Sequence, residues 1–270
     1  MFLRYFKFLI FCLILITYPC YAAVNVAVSI LPQKFFLKQI AGDRVNVVVL
    51  VPSGFNPATY EPKVFQMKQI EKARLYFAIG VPVEKVWLKK FKSLNKDLII
   101  VHTDKGIKKF DNDPHIWLSP PLVKKQAIII SDWLIRVDPS YKEFYKKNLK
   151  KFLQKIDSLD KKIKLLLKGK KGRAFLVYHP CWRYFAERYG LRQISIEKDG
   201  KEPTGKRLSE LINYCKELGI KAVFVQPQFS QKAAKVIASQ LNAKIVVIDP
   251  LSEKWDKNLL SVAQKIKDFI

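Results

Sequence analysis

From Val24 onward the chain alternates short apolar runs with stretches whose apolar residues recur every three or four positions. Apolar runs without polar alternation suit strands buried on both faces, as in a parallel sheet between helices, and the intervening pattern supplies the crossover helices. The first half predicts strands at VNVAVSI, VNVVVLV, RLYFAIG and DLIIVH, with helices from Pro32, Lys63 and Glu84 and another over residues 122–137. The second half repeats this grammar with AFLVYH, RQISIE, AVFVQP and KIVVID, and helices over 182–189 and 206–218, from Ser230, and finally up to Ile270.

Between the halves, Tyr141, Tyr145, Leu149, Phe152, Ile156, Leu159, Ile163 and Leu166 step by four or three throughout, which places them in one stripe on one helix. Asp138-Pro139-Ser140 starts that helix and Gly169 ends it, giving a rod of about 28 residues and about 42 Å. The fold class expected is α/β, two βα domains with parallel sheets joined by one long rigid helix. The expected boundaries are an N-terminal lobe over 23–139, the linking helix over 140–169 and a C-terminal lobe over 170–270. Such a linker permits small tilts and resists wide hinge closure.

Residues 1–22 break the pattern. Arg4 and Lys7 precede an apolar run too short for a confident membrane span, and small or turn-forming residues follow, which reads as a secretory signal peptide. Cleavage is expected after Ala22, with acylation at Cys20 or retention as an uncleaved anchor as the alternatives. The expected location is outside the cytoplasmic membrane, in the periplasm. Export also discounts nucleic acid as a partner, although the formal charge is +26, falling to +24 without Arg4 and Lys7. The lysines are scattered along helix faces, which reads mainly as a solvated surface and secondarily as peripheral contact with an anionic membrane. Of the cysteines, Cys181 and Cys215 remain after export, and their pairing is left open.

Open parallel sheets hold ligands outside the carboxyl ends of their strands. The sequence places PSGFNPATYEP there, along with His102, NDPHIW, His179, Gln226-Pro227-Gln228 and Asp249-Pro250. Imidazole nitrogens with a carboxylate suit zinc and related transition ions. His102 reads as an ordinary strand-end residue. Pro114 and Trp117 fix the loop of His115, and His179 exits an apolar strand before Pro180. Asp249 has a competing role as a turn cap before proline.

Read together, NDPHIWLSP, YHPCWRYFAERYGL, KEPTGKRLSELI and KAVFVQPQFSQKAAKVIASQLNAKIVVIDPLSEKW resemble, in order and spacing, the zinc- and manganese-type metal-binding family of ABC-transporter solute-binding proteins. The resemblance covers nearly the whole chain after the signal. It implies a non-enzymatic receptor, a monomer, that captures a divalent metal ion between its lobes and delivers it to a membrane permease. Metal transport and cell adhesion are the roles it attaches. Zinc is favoured as the ion, with manganese or iron(II) as alternatives. Carried over by position, the ligands are His115, His179 and Asp249. The family's remaining histidine, in a loop resembling PHxYEP, aligns with Ala58 in Pro57-Ala58-Thr59-Tyr60-Glu61-Pro62, which has no donor atom. Glu61 and Glu202 rank first as substitutes, ahead of Cys181 and His102. The His-rich acidic loop of many zinc-type members is replaced by TDKGIKKFDND. Binding that needs neutral imidazoles is expected to fail below about pH 6. Two alternatives stand beside this reading. One is a binding protein with weak or no metal affinity that recognises another solute or partner. The other is a metallohydrolase, against which the chain has no HExxH-like motif.

Overall fold

The computed structural model describes residues 23–198, 200–229 and 231–270. The expected signal peptide, Cys20 and the cleavage point lie outside the described residues. Among the described residues no helix is long and apolar enough to cross a membrane.

Strand β1 (Val24–Ile30) runs directly into helix α1 (Leu31–Ala41), followed by β2 (Val45–Val51), α2 (Val64–Glu71), β3 (Leu75–Ala78), α3 (Pro82–Leu94) and β4 (Ile99–His102). The strands pair in parallel in the order β2-β1-β3-β4. Helices α4 (Pro120–Val137) and α5 (Lys142–Leu166) follow, and the pattern restarts with β5 (Ala174–Val177), α6 (Arg183–Tyr189), β6 (Arg192–Ser195) and α7 (Gly205–Glu217). It closes with β7 (Ala222–Val225), α8 (Lys232–Gln240), β8 (Lys244–Val247) and α9 (Trp255–Phe269). The second sheet repeats the order of the first as β6-β5-β7-β8, again parallel throughout. In each sheet the order reverses beside the strand that starts the half, so each has a switch point where flanking loops diverge and leave a crevice.

The central strands β1 and β3 are buried over nearly their whole length, which is why their sequences read as continuous apolar runs. Pro82 and Pro120 occupy the first helical turn, where their missing N–H leaves no gap in the hydrogen-bond ladder. Helix α6 stops at Gly190, whose φ of 70° is a left-handed conformation that glycine adopts without steric cost.

The helix between the halves is shorter than its apolar stripe suggests. Pro139–Tyr141 form a 3₁₀ turn, and the α-helix runs for 25 residues, about 38 Å at the helical rise. Its stripe is buried at Tyr145, Phe152, Ile156, Leu159 and Ile163. Asp160 on the same helix accepts from Arg188 Nε (2.9 Å) and from the Tyr189 hydroxyl (3.0 Å), which ties α5 to α6. Helix α9 crosses back: the Trp255 ring meets Phe36 edge-on with centroids 5.3 Å apart, so the chain's last helix completes the core of its first sheet. One hydrophobic core therefore runs through both sheets, and a smaller one lies under α7 and α8. Cys181 belongs to the first and Cys215 to the second, and both thiols are free and buried, so no disulfide joins them.

Candidate metal centre

Every strand except β1 sends its carboxyl-end connection to the wall of one cavity of about 470 Å³. Residues 56–59 arrive from β2, Val81 and Pro82 from β3, His115 from the long loop after β4, and His179 from β5. Glu197 and Glu202 follow β6, Gln228 and Phe229 follow β7, and Pro250 and Leu251 follow β8. The cavity thus sits between the two sheets, at both switch points.

Local chemistry aims each imidazole. The Asp113 Oδ1 accepts from the His115 backbone N–H (2.9 Å) and pairs with His115 Nδ1 (2.6 Å). The Tyr184 hydroxyl donates to the Asp113 carbonyl (2.9 Å), so a residue of the second half braces this loop of the first. His179 Nδ1 lies 3.1 Å from each oxygen of the buried Glu197 carboxylate. Its backbone N–H donates to Gln226 Oε1 (3.1 Å), and its ring stacks on Phe229 with centroids 4.4 Å apart. A carboxylate only accepts, so each Nδ1 carries a proton, and the neutral tautomer that this selects has its lone pair on Nε2. A carboxylate behind the imidazole is the arrangement that orients metal-binding histidines and raises their basicity. Burial lowers the pKa of His115, despite the opposing pull of Asp113, and keeps the ring neutral and ready to donate.

The two rings stand 5.4 Å apart, centroid to centroid, at 73°. With a nitrogen–zinc bond of about 2.0 Å an imidazole centroid lies about 3.2 Å from the ion, and two such rings at the tetrahedral angle stand about 5.2 Å apart. The observed spacing fits one shared ion.

The other predicted ligands are not brought together in the same way. Asp249 is not on the wall of this cavity. It borders a neighbouring surface groove, and its Oδ1 accepts from Gln228 Nε2 (2.8 Å) and from the Leu251 backbone N–H (2.9 Å), the turn-capping geometry that its place before Pro250 favours. Glu61 is exposed and also absent from the wall. Glu202 does reach the wall, where its Oε1 accepts from the Tyr178 hydroxyl (3.1 Å). Ala58 is part of the wall, with its backbone N–H held by Asn56 Oδ1 (2.9 Å), and presents only a methyl group. Among the described residues no group of three or more His, Cys, Asp or Glu is assembled as a metal cluster. Cys181 is buried, burial pushes its thiol pKa up, and it is absent from the cavity wall. His102 is exposed beside Asp104, away from the cavity.

Asp113 and Glu197 were missed as functional residues by the reading of the sequence. Glu197 had a usable signal, since it closes the RQISIE run at the strand end where the histidines were sought. The chain carries 49 lysines and arginines, yet none lines the cavity among the described residues, so the wall offers acids and neutral donors to a cation.

A family model described as zinc-uptake complex component A, periplasmic, matches residues 26–268. The high-affinity zinc uptake system protein ZnuA of Bacillus subtilis (strain 168) is 30% identical over 263 residues, spanning 87% of this chain and 82% of that protein. The zinc-binding lipoprotein AdcA of Streptococcus pneumoniae is 29% identical over 90% of this chain, which spans about half (54%) of that longer protein. A solved structure of a ZnuA deletion mutant with zinc bound is similar at a TM-score of 0.88 and 40% identity, over 92% of this chain and 98% of the other.

Proposed function

The chain belongs to the family of periplasmic zinc-uptake complex component A, and from that membership we propose that it captures a divalent transition metal ion in the cavity between its lobes, outside the cytoplasmic membrane, and hands it to an ABC-type permease. The family consists of solute-binding receptors and not of enzymes, and the chain acts on the ion only by holding and releasing it. The observation that carries this reading is the pair of carboxylate-anchored imidazoles, His115 and His179, with centroids 5.4 Å apart.

Two neutral imidazole nitrogens favour zinc, because nitrogen donors bind it more strongly than they bind iron(II) or manganese(II) in the usual affinity order. Glu202 is the better third ligand, since it stands on the wall beside Tyr178 and Glu61 does not. Asp249 joins only if its carboxylate turns from Gln228, since its Oδ1 is already held by Gln228 and the Leu251 N–H. Isothermal titration of chelator-stripped protein tests the reading. One zinc per chain is expected, with manganese at least tenfold weaker and His179→Ala weakening zinc by 100-fold or more. Absence of saturable binding by either ion would overturn it.

A further inference from the structure

The cavity is much larger than the ion it is proposed to hold. Its volume of about 470 Å³ falls within the roughly 300–1,000 Å³ range of small-molecule sites. An ion with two waters needs on the order of 100 Å³, since a water's share of liquid volume is about 30 Å³. The extra room lies against apolar wall from Val81, Pro82, Trp117, Phe229 and Leu251, which gives nothing to hydrating water. The protein's own donors are few: two imidazoles face the cavity, the Glu202 carboxylate on the wall is held by the Tyr178 hydroxyl, Ala58 contributes a methyl group, and no group of three or more His, Cys, Asp or Glu is assembled among the described residues. An ion held by His115 and His179 therefore keeps coordination positions pointing into a space sized for an organic molecule.

We infer that the cargo is the metal ion together with one small amino-acid-type chelator, whose amine and carboxylate fill the positions that the protein leaves open. This rests on the metal-capture reading and names its substrate more closely. The chelator's amine releases its proton to solvent as its lone pair binds the ion, and no other bond changes. Charge narrows the class. With Glu197 and Glu202 on the wall and neither lysine nor arginine among its described residues, the site suits a complex that keeps a net positive charge, as one zinc with one amino-acid anion does, and disfavours anionic polycarboxylate complexes. The apolar wall then packs the chelator's carbon skeleton.

The test uses the stripped full chain, zinc, and isotopically labelled L-histidine as the probe chelator. Protein is mixed with zinc alone, histidine alone, or zinc with one equivalent of histidine, then desalted rapidly, and zinc and label per chain are counted. About one label per chain with zinc, and less than a tenth without it, is expected. Ala58→His supplies an imidazole and fills the space, so it should bind zinc alone at least tenfold more tightly than wild type by titration and retain at least fivefold less label. Circular dichroism checks its fold, and the wild-type counts decide the matter if it fails to fold. Zinc retained at one per chain with no label overturns the inference and leaves metal capture standing. Neither zinc nor label retained in any mixture overturns both.

Discussion

Glu197 and Asp113 touch only nitrogen they can charge or orient. Each accepts from a histidine Nδ1, and among the described residues neither has a lysine or arginine within salt-bridge distance, in a chain rich in both. Their effect is to select the tautomer that leaves Nε2 open. Glu197→Gln presents an amide that can meet Nδ1 with either an oxygen or an N–H group, so the tautomer is no longer fixed. Zinc affinity should fall about 10- to 100-fold in titration while the circular dichroism spectrum stays unchanged. His115 adds a stability consequence. Burial lowers its folded pKa below the ordinary value of 6.5, so the unfolded chain takes up the proton first. The stability of the metal-free protein therefore falls as pH drops through 6.5, and a His115→Gln variant should lose less of its melting temperature between pH 7 and pH 5.5 than wild type.

At the scale of elements, the connection between β3 and α3 is held by a buried carboxylate from the first turn of α3. Glu84 Oε1 accepts from the Ile79 backbone N–H (2.9 Å) and from the Ser29 hydroxyl, and Oε2 accepts from the Gly80 N–H (2.7 Å). The same Ser29 oxygen lies 2.9 Å from the Tyr76 hydroxyl, and Val81 and Pro82, next along this connection, are cavity wall. Burial raises Glu84 from 4.5 to about 7, against the pull of those donors. The sign follows from proton uptake. Between these two values the folded chain holds the proton more tightly than the unfolded one, so stability is present below pH 4.5 and is lost as pH rises to about 7, by on the order of 3 kcal/mol. Denaturant melts of wild type and Glu84→Gln from pH 4 to pH 8 should differ by a curve that slopes only across that window. A flat difference would show that Glu84 ionises as an ordinary surface acid.

The whole molecule is fastened across its middle by two tryptophans. Trp117 Nε1 donates to the Pro250 carbonyl, and Trp255 Nε1 donates back to the Trp117 carbonyl, each at 2.7 Å and each buried. These bonds join segments more than a hundred residues apart, directly beneath the cavity wall that Trp117, Pro250 and Leu251 share. With a core continuous through both sheets, unfolding in guanidinium should be a single cooperative transition seen identically by fluorescence and circular dichroism. Trp255→Phe leaves the Trp117 carbonyl buried without its donor, which costs about 1–3 kcal/mol. Its midpoint should fall with the slope unchanged. Two separate transitions would show that the lobes are independent.

The strands, their parallel arrangement and the linking helix were legible because burial on both faces and a three-to-four spacing leave direct marks on the order of residues, as in VNVAVSI and the Tyr145–Phe152–Ile163 stripe. The arrival of His115 and His179 at one cavity was legible for a related reason: the rule that strand ends converge on a crevice needs only the strands. The sequence does not register which side chain turns which way once those ends converge. Asp249 was drawn to its own turn and to Gln228, Glu202 reached the wall while Glu61 stayed outside, and Glu197 moved behind a histidine eighteen positions away in the chain. Hydrogen bonds at close range hold Asp249, Glu202 and Glu197 where they are, and Gln228, Tyr178 and His179, which take part in them, follow other strands. The size of the cavity is likewise a property of the gap between two sheets, which no single stretch of residues encodes.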